Sequence, residues 1–216
     1  MLNGKAIEQT QFFTADSNPY GRTYGQWTVR WWQWFLSTPK AVNPVIDESG
    51  KFASANQPLK DVWFLAGKVG NEDKNIPNRF CRIPSGRSIL FPVINCEANP
   101  LEYPELITEQ DLIEHVNRDE NTIITKECSV DGRLIPVQRV KSDPAIFEVK
   151  INEDNPCDIK GCGITLASGD GYWVFLKPLC LGDHFISFRG SCEKGKLNSG
   201  ANYHLNIRDT VSMSTM

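Results

Sequence analysis

The chain has 216 residues, 40% of them apolar and 23% charged, which is enough apolar surface to close a core and far from the composition of disordered chains. With 23 basic and 26 acidic residues the net charge is −3, too small a field to gather nucleic acid or anionic lipid. No apolar run approaches the about 18 residues of a membrane-spanning helix, so neither nucleic acid nor a membrane is expected as a partner.

Residues 1–16 lack the apolar stretch of a secretory leader, which points to the cytoplasm, or to a secreted protein whose leader is already removed. The length suits one β-sandwich domain over 1–216, with 1–20 as a loosely ordered arm and 209–216 as a mobile tail.

The first element is a helix over 23–37, where Trp27, Trp31, Trp34 and Phe35 recur at helical spacing between Thr28, Arg30 and Gln33. Val29, Trp32 and Leu36 widen its apolar arc so far that two sides must be covered, and Pro39 with Asn43-Pro44 ends it. From there the signal changes to short β-branched and aromatic runs bounded by glycine, proline and asparagine. Strands are predicted over 62–69, 79–83, 88–96, 134–140, 146–151, 163–167, 172–179, 183–190 and 202–208.

Turns are expected at Pro84-Ser85-Gly86-Arg87, Asp131-Gly132, Gly169-Asp170-Gly171 and Leu181-Gly182-Asp183. Pro92 has no ladder donor, so the strand around it is an edge or carries a bulge. One inserted helix is predicted over 108–118, from the Thr108 and Asp111 spacing and the stripe Leu112, Ile113 and Val116. These elements make a mainly β fold, an antiparallel β-sandwich or jelly roll with an N-terminal tryptophan-rich helix and a second short helix.

Seven cysteines, an odd number, leave at least one free thiol. Buried, reduced cysteines are the expectation; Cys157 and Cys162, the one close pair, are the candidates for a disulfide, and no doubled C-x-x-C spacing calls for a metal.

The segments YGQWTVRWWQWFLSTP, VWFLAG, CRIPSGRSILFPVINCE, DGYWVFLKPL and GDHFISFRGSC together resemble a group of uncharacterised microbial proteins over most of the chain. The resemblance implies one continuous domain and transfers no catalytic or binding residue.

Three sets of residues are candidates for chemistry. The first is aromatic: Trp32 lies off the main helical stripe beside Arg30 and Gln33, and Tyr172 with Trp173 joins it, so Trp32, Arg30, Tyr172 and Trp173 are the predicted ligand contacts. The second is the histidines, of which His184 and His204 fall in predicted strands and would need a carboxylate such as Glu97, Asp170 or Asp183 to act as acid or base. The third is Asn95-Cys96-Glu97, a thiol and a carboxylate leaving an apolar strand. Catalytic candidates are therefore Glu97, Asp183, His184 and His204.

No GxxxxGK[ST], GxGxxG or GxSxG pattern is present, and no cofactor or metal is called for. Three functions follow in rank: a non-catalytic binding module holding a saccharide or an apolar small molecule against exposed aromatics; a self-assembling protein, a homo-oligomer built through an edge strand or the aromatic helix; and a hydrolase or lyase with acid/base residues at strand ends.

Overall fold

Helix α1 (Tyr24–Ser37) starts at Thr23, where the hydroxyl accepts from the Gln26 N–H and Gln26 Oε1 accepts from the Thr23 N–H, both at 3.1 Å. This capping box satisfies donors that a helix start leaves open. In the computed structural model, which describes residues 11–70, 76–193 and 197–209, α1 packs on one of two β-sheets. The arm and tail expected at 1–10 and 210–216 lie outside the described residues, as do 71–75 and 194–196.

Sheet 1 has the order β1 (Val62–Phe64), β4 (Ser88–Ala98), β9 (Gly163–Leu176), β7 (Gln138–Arg139), with β8 (Phe147–Ile151) beside the first half of β9. Sheet 2 has the order β2 (Lys68–Gly70), β11 (Asn198–Arg208), β10 (Gly182–Cys192), β5 (Ile123–Val130), β6 (Arg133–Leu134), with β3 (Asn78–Pro84) also on β11. The strands are not all antiparallel as expected. β1 runs parallel to β4, and β3 parallel to β11, because the chain visits sheet 2 between β1 and β4 and returns.

The centre of sheet 1, made by β1, most of β4 and the second half of β9, is buried on both faces. On one, Trp27, Trp31 and Trp32 of α1 meet Phe64, Leu90, Trp173 and Phe175; on the other, Ile89, Phe91, Val174 and Leu176 meet Ile186, Phe188, Tyr203 and Leu205 of sheet 2. A strand covered on both sides reads as a continuous apolar run, which is why 88–94 and 172–176 do. Each fully buried ring contributes about 3 kcal/mol. The indoles of Trp27, Trp31 and Trp34 also donate to Pro19, Leu65 and Ala55 carbonyls at 2.8, 2.9 and 3.0 Å, tying α1 to the chain before and after it.

Helix α2 (Glu109–Glu120) lies beside sheet 2 on the same side of sheet 1, with Leu112 and Val116 packed near Ala98. Its start at Thr108 carries the second capping box.

Several expectations need correction. Gly169-Asp170-Gly171 is no turn: it lies mid-strand in β9, which joins the two strands predicted at 163–167 and 172–179. The glycines are there for close approach, since a Cβ on Gly169 would stand 2.9 Å from Trp32 Nε1, and one on Gly171 would stand 2.6 Å from Trp173 Nε1 and from Asn95 Cβ. The runs 62–69 and 134–140 each divide between the two sheets, as β1 with β2 and β6 with β7. β5 was not predicted, because its charged Lys126 and Glu127 and its exposed Ile124 blur the alternation.

β1 pairs with β4 only at Ser88–Leu90, so Pro92 lies past the end of β1 and pairs with β9 alone; there the register slips between Pro92 and Ile94, the bulge that the missing donor allows. Past it the faces exchange, so Cys96 and Ala98 turn toward α2 while Asn95 and Glu97 turn toward α1. All seven cysteines are free, Cys157 and Cys162 included, and Cys157, Cys162 and Cys180 are exposed rather than packed. No helix among the described residues is long and apolar enough to cross a membrane.

Candidate functional site

The outer face of sheet 2 is left bare by this layering, and strand alternation decides which side chains stand on it. β3 presents Phe80 and Arg82, β11 presents His204, Asn206 and Arg208, and β10 presents Asp183 and Phe185. Phe80, His204 and Phe185 are direct cross-strand neighbours. The Phe80 and His204 rings stack at 4.7 Å and 14°, and Phe185 tilts against His204 at 4.9 Å. Phe80 is 66% exposed, a large ring that the core does not use. Around the strip Asp183 accepts from Asn206 Nδ2 and lies 3.7 Å from Arg208. These side chains line an open groove of about 960 Å³.

At one end of the groove stands His184, whose neighbour Asp183 points to the opposite face and cannot be its partner. The carboxylate comes instead from the β5–β6 turn, where Asp131 (φ 50°) and Gly132 (φ 75°) both take left-handed backbone. Asp131 Oδ2 lies 2.7 Å from His184 Nδ1, and Oδ1 accepts from the Phe185 N–H at 2.8 Å. Partial burial opposes ionisation of Asp131, but hydrogen bonds from His184 and Phe185, with the charges of His184 and Arg133, outweigh it and hold the carboxyl below its ordinary value. The other ring nitrogen, Nε2, lies 3.0 Å from the Cys180 carbonyl oxygen and 3.6 Å from Cys180 Sγ. Cys180 is exposed.

The predicted ligand contacts do not come together. Trp32 is 6% exposed and Trp173 0%, so neither offers a free ring; both lie in the core beneath α1, each with an unpartnered indole nitrogen. Arg30 is exposed on the far side of α1, in a shallow groove with Gln26, Gln33 and Glu148. Tyr172 is half-buried on the other face of sheet 1, with Lys126 Nζ 4.6 Å from its ring centre.

Glu97 is also apart from the histidines. The end of β4 that carries it approaches β10 at Gly190, six residues beyond His184, about 20 Å along a strand. Its oxygens accept from Asn99 Nδ2 at 3.2 and 3.3 Å. Although solvent touches it at one side, protein surrounds it closely; burial first, and Glu102 second, push its carboxyl up to about 8. Across sheet 1, under α2, Asp170 is buried in a 2.7 Å ion pair with Arg139. Beside it Glu120 is buried with Oε1 unpartnered, and its carboxyl is pushed up to about 8, chiefly by burial. No group of three or more metal-ligating side chains is found among the described residues.

No family model matches this chain, and neither curated proteins nor solved structures give a match. The site therefore has to be judged on its own geometry. Of the residues predicted for chemistry it unites Asp183, His184 and His204, and it adds Phe80, Phe185, Asp131 and Cys180, which the sequence reading passed over. One signal for Phe80 was available. In Asn78-Arg79-Phe80-Cys81-Arg82-Ile83 the inward parity set by Cys81 and Ile83 contains Arg79, and the polar parity contains Phe80. The inversion is real: Arg79 is fully buried, donating to Ala66 O, Val45 O and Tyr203 Oη at 2.5, 2.9 and 3.0 Å, while Phe80 faces solvent.

Proposed function

We propose that this protein is a binding module whose ligand surface is the outer face of sheet 2, and that the ligand is a saccharide. The Phe80–His204–Phe185 strip carries the reading. An aromatic strip that the core does not need, ringed by the carboxylate of Asp183, the amide of Asn206 and the guanidinium of Arg208, matches a sugar, whose C–H faces stack on rings while its hydroxyls need polar partners on either side. An apolar small molecule would use the strip but leave the polar rim without a role. The two facing sheets supply a rigid, sandwich-like floor for it.

Titration with cellohexaose, chitohexaose and a hexagalacturonate, followed through the His204 imidazole resonances, tests this directly. At least one should shift them saturably, and Phe80→Ala should weaken that binding at least about tenfold, the order of one aromatic contact. If none of the sugars moves His204 while an anilinonaphthalene sulfonate dye does, the ligand is apolar and the saccharide reading falls.

A second reading, self-assembly, is supported by the β8–β9 hairpin, where Ile164 and Leu166 are 73% and 41% exposed and β8 pairs only with β9 among the described residues. Sedimentation across a hundredfold concentration range should then show association that Ile164→Lys abolishes; an unchanging monomer refutes it.

A further inference from the structure

Beyond binding, we propose that Cys180, His184 and Asp131 form a nucleophilic site at the rim of the groove, and that Cys180 accepts the acyl group of an ester. The three side chains stand in the order nucleophile, base, orienting carboxylate: Sγ is 3.6 Å from Nε2, and Nδ1 is 2.7 Å from Oδ2. Each comes from a different part of the chain, the segment before β10, the start of β10, and the β5–β6 turn. The backbone fixes them. Asp131 N–H donates to the Phe185 carbonyl at 2.8 Å while Asp131 Oδ1 takes the Phe185 N–H, so the turn is clamped to the strand that carries His184. Gly182 (φ 133°) lets the chain between Cys180 and His184 bend back on itself. The thiol is exposed, and Asp131 and His184 line the groove where a ligand would lie.

The reaction balances with ester and water alone. The thiol proton passes to His184 Nε2 as sulfur attacks the ester carbonyl. The C–S bond forms, the C–O bond breaks, and the alcohol leaves with the proton from His184. Water then gives a proton to His184 as its oxygen attacks the thioester carbonyl; the C–S bond breaks, the carboxylic acid departs, and sulfur regains the proton. Asp131 keeps Nδ1 protonated throughout, so that Nε2 is the nitrogen that exchanges.

The competing account is a structural clip, in which His184 merely ties the turn to the Cys180 carbonyl at 3.0 Å. Thiol reactivity separates the two and needs no saccharide, so its outcome is independent of the binding reading. Besides Asp131 and Cys180, the charged and titratable groups nearest the ring are Arg133 next to Asp131 and, on the opposite face of the strands, Asp183, His204 and Arg208; these four stay in place in the variants used.

Iodoacetamide labelling at pH 6, resolved by mass spectrometry, compares Cys180 with Cys162, exposed like it, within one molecule. Transfer of the thiol proton to His184 during attack should make Cys180 react at least about tenfold faster. His184→Gln should erase that advantage and Asp131→Asn should reduce it, with circular dichroism confirming the fold of each. p-Nitrophenyl acetate should release one equivalent of p-nitrophenol per chain in a burst that Cys180→Ser lacks. Equal labelling of Cys180 and Cys162, or an advantage that survives both His184→Gln and Asp131→Asn, overturns the proposal and leaves the clip. Should His184→Gln not fold, Asp131→Asn and the burst alone decide.

Discussion

Replacing Glu120 by glutamine should stabilise the protein, by an amount that depends on pH. Glu120 is 1% exposed, with Oε1 unpartnered, and Cys96, Asp170, Arg139 and Asp119 around it. Burial, the largest cause, raises its carboxyl from 4.5 to about 8. A raised folded value means that the folded state holds the proton while the unfolded chain has already lost it. The contribution to stability is therefore complete below pH 4.5, is lost as pH rises from there to about 8, and is level above that. At about 1.36 kcal/mol for each pH unit, the loss reaches about 3 kcal/mol at pH 7. Glutamine keeps the shape and has no proton to lose. Urea unfolding of both proteins at pH 4, 7 and 9 should give curves within about 0.5 kcal/mol of each other in acid and a Glu120→Gln variant more stable by about 3 kcal/mol at pH 7. Glu97, whose carboxyl shifts the same way, is common to both and cancels in the difference. A variant equal to or weaker than the parent at pH 9 would refute the reasoning that burial makes ionised Glu120 costly in the folded state.

Arg79→Met should destabilise by about 2–4 kcal/mol in the same assay: three charge-assisted hydrogen bonds go, partly offset by relief of a buried cation, and the Val45 carbonyl is left without its guanidinium. Arg79→Lys should cost less. Gly171→Ala should cost about 1–3 kcal/mol, since its Cβ would lie 2.6 Å from Asn95 Cβ and Trp173 Nε1 inside a filled core, whereas Gly86→Ala, with nothing within 4 Å of its Cβ but a φ of 79°, should cost about 1 kcal/mol from backbone strain alone. Thermal unfolding ranks the two. Thr23→Ala should lose about 1 kcal/mol by opening the first capping box.

The helices and most strand positions were legible because their signals are local: indoles at helical spacing, a threonine before each helix, apolar runs between turns. What local signals cannot supply is the pairing. Nothing in VWFLAGKV reveals that its two halves join different sheets, and Gly169-Asp170-Gly171 has turn composition although its glycines serve to let two indoles come close. The site was hidden for related reasons. Trp32, the indole picked as exposed, is covered because sheet 1 extends beneath it, while His184 finds its carboxylate 53 residues away in a turn rather than in the adjacent Asp183. Only Phe80 announced itself, through its exchange of parity with Arg79, and reading it required the strand's inward face to be known first.

The division of labour between the two sheets bears on how this molecule can be altered. The centre of sheet 1, enclosed by α1 on one side and by sheet 2 and α2 on the other, tolerates little change in side-chain volume. The groove positions on β3, β10 and β11 belong to neither interior, so Phe80, Arg82, Asp183, Phe185, His204 and Asn206 form a set that can be randomised together. The molecule is thus a scaffold on which recognition can be selected without rebuilding the part that keeps it folded.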